Sequence, residues 1–157
     1  MLQIYSQGKH VVNIDESWIA ESDFRRRSWG LKNSTNSMSE RVVGHRVNMI
    51  VAVSSRGHVW LSLTQCNTDE NVMQMFLSKL SQVFTNEFSS SWRNEIILLI
   101  DGASYHRSRE TRACINHLGM NVVLSAPYSY AAAPAELWFA HFKRGDFNPE
   151  NIRTSKR

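Results

Sequence analysis

The sequence contains little of what marks a membrane, secreted or disulfide-bonded protein. No apolar run approaches the ~18–20 residues that a membrane-spanning helix needs, and the N-terminus lacks the apolar segment of a secretory signal. The two cysteines, Cys66 and Cys114, lie far apart and form no CxxC pair. We therefore interpret them as reduced core thiols rather than as a disulfide or a zinc site. These absences predict a chain that is neither secreted nor embedded in a membrane.

The composition is that of one globular domain spanning 1–157. The 157 residues are 42% hydrophobic and 20% charged, which suffices for a buried core without cross-links. The net charge of +4 is unevenly distributed, and it is concentrated in Arg25, Arg26 and Arg27, in Lys143 and Arg144, and in Arg153, Lys156 and Arg157. Basic clusters are usually solvated surface, but these are also compatible with a polyanionic partner.

The spacing of apolar residues predicts the element order β-β-β-α-β-α-β-α. Strands are expected at 10–14, 47–54, 59–64, 96–100 and 121–124, and helices are expected from about 69, from 108 to 118 and from 134. The first three strands suit an antiparallel meander, and the last two, joined through a helix, should run parallel. We therefore predict an α/β fold of the ribonuclease-H-like type, a mixed five-stranded sheet with helices on both faces.

Three acidic residues fall at the ends of predicted elements. Asp15 closes the first strand, Asp101 closes the fourth and Glu136 lies in the first turn of the last helix. If those two strands are neighbours, their acids lie side by side, and a helix crossing the edge brings Glu136 within reach. Such carboxylates repel one another, and Mg²⁺ or Mn²⁺ relieves that conflict because both prefer oxygen ligands. Two ions ~3.5–4 Å apart would suit an in-line phosphodiester displacement.

Each acid also has a simpler interpretation. Acidic residues at strand and helix ends are commonly caps or solvated edges, and the helix dipole by itself favours Glu136 in a first turn. Only the combination of the three positions favours a metal site.

Three stretches together are similar to the signature blocks of the DDE transposases of the mariner type and their bacterial insertion-sequence relatives. They are IDES at 14–17, LLIDGASYHRS at 98–108 and SAPYSYAAAPAELWFAHFKR at 125–144. Asp101 and Glu136 are separated by 34 residues, a spacing characteristic of one large branch of that family. The resemblance runs from about residue 10 to residue 145.

The resemblance implies a ribonuclease-H-like catalytic core in which Asp15, Asp101 and Glu136 bind Mg²⁺ or Mn²⁺, two ions when substrate is bound. The implied chemistry is hydrolysis at transposon ends, followed by attack of the freed 3′-hydroxyl on target DNA. His106 matches the histidine of the second block, where it would approach a phosphate or orient the loop. Lys143 and Arg144 match the basic end of the third block.

Several basic residues are candidate nucleic-acid contacts on these grounds, namely Arg25, Arg26, Arg27, His106, Lys143 and Arg144. The implied partners are transposon-end and target DNA, with a homodimer or a larger assembly. Trp138 and Phe142 are expected in the core. A protein of this kind would act in the nucleus of a eukaryote and otherwise in the cytoplasm.

Two features depart from the family pattern. Gly102 stands where the family usually has asparagine, and only about ten residues precede the first strand, so we expect no helix-turn-helix domain in this chain. The chain would then be an excised catalytic domain, a decayed copy, or an exapted module that binds protein or nucleic acid without catalysis. A ribonuclease-H-like nuclease that cleaves RNA–DNA hybrids is a further alternative.

Overall fold

A computed structural model describes residues 8–19, 46–89, 91–125 and 133–144. Its five strands are β1 (His10–Ile19), β2 (Val47–Ser54), β3 (Val59–Thr64), β4 (Ile96–Ile100) and β5 (Asn121–Leu124). Its helices are α1 (Glu70–Phe88), the single turn α2 (Trp92–Glu95), α3 (Arg109–Leu118) and α4 (Pro134–Arg144), with a 3-10 turn at Tyr105–Arg107. The predicted order of elements is confirmed, and α2 and the 3-10 turn are additions to it.

The sheet has the order β3-β2-β1-β4-β5. β1, β2 and β3 pair antiparallel, whereas β1 with β4 and β4 with β5 pair parallel. This arrangement confirms the mixed sheet and makes the first and fourth strands neighbours, as the predicted site requires.

The first strand is longer than the sequence indicated. We expected it to end at Ile14, but β1 continues to Ile19 because its second half stays paired with β2, from Asp15 opposite Val51 to Ile19 opposite Val47. Its polar residues therefore lie within a strand and not beyond one. On the other side of β1, pairing with β4 stops at Asn13 opposite Leu99.

Local signals fix the ends of two helices. Asp69 accepts a hydrogen bond from the Val72 amide at 2.9 Å and caps α1. Ser108 caps α3 through the Thr111 amide at 3.1 Å, and Gly119 ends that helix with a φ of 66°, a left-handed conformation that glycine adopts most readily.

Helices cover both faces of the sheet, and each face has its own buried core. On one face, α1 and α3 pack on residues such as Val12 and Ile14 of β1. On the other, α4 packs on Met49 and Val51 of β2 through Ala135, Phe139 and Phe142. The placement of Phe142 in the core is thus confirmed. Trp138, also expected there, is half-buried and stacks on Phe142 with 4.5 Å between ring centroids.

The cysteine prediction was wrong in part. Both thiols are free, but Cys66 is exposed just after β3 and Cys114 is half-buried in α3, so neither is a core residue. Among the described residues, no helix is long and apolar enough to cross a membrane.

Candidate active site

Asp15 and Asp101 both lie just beyond the last paired residues of β1 and β4. The parallel register ends at Asn13 opposite Leu99, and two residues further along the two strands come Asp15 and Asp101. Because strand side chains alternate between faces, Asp15 lies on the same face as Asn13, which is the face that α4 covers. The prediction that these two carboxylates share one edge therefore agrees with the strand order and register.

Glu136 is brought to this edge by a buried amide that the sequence analysis did not single out. The side chain of Asn13, 5% exposed, donates a hydrogen bond through Nδ2 to the Leu99 carbonyl at 3.1 Å. Its Oδ1 accepts one from the Ala135 amide at 3.0 Å. Asn13 thus ties the start of α4 to β1 and β4. The signal in the sequence was a single amide inside the otherwise apolar run VVNI.

The three acids interact electrostatically. Burial is the largest cause that raises the pKa of Asp15, and the charges of Glu16, Glu136 and Asp101 raise it further, to about 7. A hydrogen bond from the Glu16 amide to Oδ1 of Asp15, 2.8 Å long, acts in the opposite direction. The Asp15 carboxyl of the metal-free protein is therefore only partly ionised near neutral pH.

These carboxylates supply the oxygen ligands that a hard divalent cation prefers. A cation would lower the pKa of Asp15 by offsetting the negative charge that raises it. Among the described residues, however, no three acidic, histidine or cysteine side chains already surround a common point as a closed metal cage would require. The two observations are compatible because Mg²⁺ keeps several waters and takes only one or two carboxylates.

His106 is buried between two carboxylates. It is 2% exposed, with Nδ1 2.6 Å from Oδ1 of Asp101 and Nε2 2.9 Å from Oε1 of Glu16. Burial lowers the pKa of His106, but the hydrogen bond and charge of Glu16, together with those of Asp101, outweigh it and raise the pKa above 6.5. A protonated ring donates to both carboxylates.

These contacts change the interpretation of His106. Both of its nitrogens are occupied by carboxylates of the protein itself, so the side chain does not offer a free donor to a phosphate. Of the two roles suggested by the resemblance, only the orientation of the loop after β4 agrees with this burial.

Glu16 and Tyr105 are site residues that the sequence analysis missed. Glu16 follows Asp15 and therefore lies on the opposite face of β1, where it meets His106. The Tyr105 ring lies edge-on to His106 with 4.4 Å between centroids, and burial and the charge of Glu16 raise the pKa of its hydroxyl. Glu16 is part of the quoted block IDES, but its role depends on His106, which lies 90 residues further along the chain.

A cleft of about 480 Å³ opens beside the acids. Its lining consists of polar and aromatic side chains, namely Asp15, Glu16, Ser17, Trp18, Arg46, Asn48, Asn67, Thr68, Asp101 and Tyr105. Trp18 is 51% exposed, and two cations lie over its ring, the Arg46 guanidinium at 5.3 Å and the Lys143 ammonium at 6.0 Å from the centroid. Acidic and basic groups thus share one cleft.

The structure describes only some of the other predicted nucleic-acid contacts. Lys143, half-buried near the end of α4, reaches Trp18. Arg144 is the last residue of α4, and its side chain lies outside the described part of the structure. Arg25, Arg26 and Arg27 also lie outside the described residues, so their assignment stays a prediction.

The profile of a family described as DDE superfamily endonuclease matches residues 10–157, nearly the whole chain. The chain belongs to this family. No curated protein sequence matches it.

Solved structures of Mos1 mariner transposase are similar to this DDE domain. The Mos1 paired-end complex with Mn aligns with a TM-score of 0.68 at 22% identity, over 90% of this chain and 44% of the Mos1 chain. The catalytic domain of Mos1 alone gives a TM-score of 0.61 at 18% identity, over 87% of this chain and 61% of that one. This likeness establishes a ribonuclease-H-like fold. The DDE domain spans less than two thirds of either Mos1 chain.

Gly102, the departure from the family pattern, has room around it. A Cβ at this position would meet no atom within 4 Å, so an asparagine would fit without displacing a neighbour. The carboxylate of Asp101 is held instead by His106 and by the Ala103 amide, which donates to Oδ1 at 2.9 Å.

Replacing Asn13 with leucine should destabilise the DDE domain by about 2–4 kcal/mol, because the Leu99 carbonyl and the Ala135 amide both lose a buried partner. Urea unfolding measures the loss, and hydrogen exchange should show the Ala135 amide opening at least tenfold faster. Asn48→Leu is the matched control, since Asn48 is also buried and its amide donates to Cys66 in another loop. Equal exchange rates at Ala135 in both variants would contradict the proposed contact.

Replacing Asp15 with asparagine should make the metal-free protein more stable at pH 8. The pKa of Asp15 rises from 3.8 to about 7 on folding, so the folded state binds the proton more tightly and the wild type loses stability as pH rises between those values. Asparagine removes this loss and retains an acceptor for the Glu16 amide.

With a discount for the water that reaches this carboxyl, the gain is about 1–2 kcal/mol at pH 8, and it should shrink towards pH 5. Unfolding in urea with a chelator present measures it at both pH values. A variant that is no more stable than the wild type at pH 8 contradicts the raised pKa of Asp15.

Proposed function

We propose that this chain is the catalytic core of a DDE transposase, which cleaves and joins DNA strands with divalent cations held by Asp15, Asp101 and Glu136. The observation that carries the proposal is the placement of Asp15 and Asp101 beside one cleft, with Glu136 at the start of the helix that Asn13 ties to β1. It occurs in a chain that the DDE endonuclease profile matches over residues 10–157.

The proposed reaction has two steps. Water attacks a phosphorus at the transposon end and the P–O3′ bond breaks, which leaves a free 3′-hydroxyl and a 5′-phosphate. That hydroxyl then attacks a target phosphodiester, and the target 3′-oxygen leaves as the new bond forms. When bound, divalent cations would activate the attacking oxygen and stabilise charge on the phosphate. Two ions are proposed, as the family resemblance implies.

Structures of the Mos1 transposase support the choice of metal and substrate. They include paired-end complexes with Mn and with Mg, and a complex with the left transposon end. For the present chain we infer by analogy a DNA partner, a paired assembly and Mg²⁺ or Mn²⁺. We infer a nuclear location in a eukaryote, or otherwise a cytoplasmic one.

The cations over Trp18 favour DNA as the substrate of the same cleft. Arg46 and Lys143 lie within about 6 Å of one exposed indole, at the mouth of a cleft that also contains Asp15 and Asp101. Positive charge at the rim offsets the repulsion between a phosphate backbone and the acids, and an exposed aromatic ring can stack on a base. We propose that DNA enters the cleft past Trp18.

Mn²⁺ should raise the melting temperature of the wild type and not that of Asp101→Asn. At a concentration about a hundredfold above Kd, the expected rise is about 5–10 °C, measured by differential scanning fluorimetry. Glu110→Gln, which removes an exposed acid of α3 outside the cleft, should keep the full rise.

Nicking assays on duplex DNA and on an RNA–DNA hybrid complete the test. Metal-dependent nicking of duplex DNA that is lost in Asp101→Asn supports the transposase core. Cleavage of the hybrid alone would indicate a different nuclease. An equal Mn²⁺-induced rise in melting temperature in the wild type and Asp101→Asn, with no cleavage of either substrate, would contradict the proposal. That result would favour an exapted, non-catalytic module.

Arg46→Ala and Lys143→Ala should each weaken binding to duplex DNA by about three- to tenfold and reduce the salt dependence by about one released counterion. Fluorescence anisotropy at several salt concentrations measures both effects. Lys79→Ala serves as the control, because Lys79 is an exposed residue of α1 outside the cleft. If all three variants lose affinity equally, DNA does not enter past Trp18.

A further inference from the structure

The side chains of Glu16, His106 and Asp101 form a continuous bridge between β1 and the loop after β4. The imidazole spans the two carboxylates, with 2.9 Å to Oε1 of Glu16 and 2.6 Å to Oδ1 of Asp101. Backbone pairing between these strands ends at Asn13 opposite Leu99. The bridge therefore connects them beyond the point where the backbone no longer does.

The bridge contacts one carboxylate oxygen of Asp101, and His106 Nδ1 also lies 3.2 Å from the backbone carbonyl oxygen of Asp101. His106 Nδ1 and the Ala103 amide both contact Oδ1, at 2.6 and 2.9 Å. Neither contact uses Oδ2. A carboxylate held through one oxygen by two donors has a fixed plane, so the position of the other oxygen is fixed as well.

Glu16 holds the far end of the imidazole. It follows Asp15 in β1 and lies on the opposite face of the strand. Its contact with His106 is therefore made on the face that Asp15 does not occupy. Its side chain is 12% exposed and that of His106 is fully buried. With both nitrogens engaged, the ring cannot rotate without breaking two hydrogen bonds.

We propose that His106, anchored by Glu16, is a positioning residue that presents Oδ2 of Asp101 to the catalytic cation. This inference rests on the proposed function, because it assigns these residues a role towards a cation at Asp101. A buried histidine that only fills space is the alternative, and it predicts that any side chain of similar size serves equally well.

Two amide substitutions separate positioning from packing. In His106→Asn the side-chain amide nitrogen lies near the position of Nδ1 and can still donate to Asp101. In His106→Gln the amide nitrogen lies near the position of Nε2 and can donate to Glu16 instead. Both variants replace the ring with a smaller polar group, so their losses of stability should be similar.

The measurement is Mn²⁺ affinity, followed by the electron paramagnetic resonance signal of free Mn²⁺, with urea unfolding of each variant alongside. We expect His106→Asn to bind within about threefold of the wild type and His106→Gln to bind about tenfold more weakly or worse, the size typical of lost ligand-orienting contacts. Glu16→Gln, which keeps an acceptor for Nε2, should bind better than Glu16→Ala.

The outcomes distinguish this inference from the function on which it rests. If the wild type binds Mn²⁺ through Asp101 but His106→Asn and His106→Gln bind equally well, or lose affinity only in step with their stability, His106 is a packing residue and the inference is overturned. If Asp101→Asn binds Mn²⁺ as the wild type does, the proposed function fails and the inference fails with it.

Discussion

The geometry of the candidate site depends on one buried amide. Asn13 contacts all three elements that carry the acids, since it lies in β1, donates to the Leu99 carbonyl of β4 and accepts from the Ala135 amide of α4. Each contact lies within two residues of an acid, namely Asp15, Asp101 and Glu136. A side chain that carries both a donor group and an acceptor group in fixed geometry can join three elements in this way, and an apolar residue of the same size cannot.

The placement of the acids concentrates negative charge, and two features of the protein itself can offset that charge without a cation. Burial and three neighbouring carboxylates raise the pKa of Asp15 to about 7, so part of the charge is removed by a proton. His106, whose pKa is raised by these neighbours, lies between Asp101 and Glu16, and a proton on its ring would offset their charge. Sites that sacrifice stability in this manner are typical of positions kept for function.

The sequence predicted the elements of the site better than the contacts between them. The order of elements along the chain and the helix caps follow from local patterns, and three motif blocks predict Asp15, Asp101 and Glu136 as the acids of the site. The true length of β1 was not, because residues 15–17 are polar and only pairing with β2 shows that the strand continues. The hydrogen bond between Glu16 and His106 joins residues 90 positions apart. Local sequence patterns do not predict which distant residues come into contact.

Residues that pack the core and residues that position a site differ in how freely they can be exchanged. This difference is consistent with a shared fold at 18–22% identity to the Mos1 structures. Apolar cores tolerate exchange if volume and pattern are kept, whereas a hydrogen bond to a given oxygen requires a particular donor at a particular place. Gly102 is a position that tolerates exchange in this sense, since a Cβ there would meet no atom within 4 Å. His106, four residues later, is the opposite case, because two partly buried hydrogen bonds depend on its ring nitrogens. A substitution at Gly102 therefore changes little in the placement of Asp101, while one at His106 alters the oxygen on which the proposed chemistry depends.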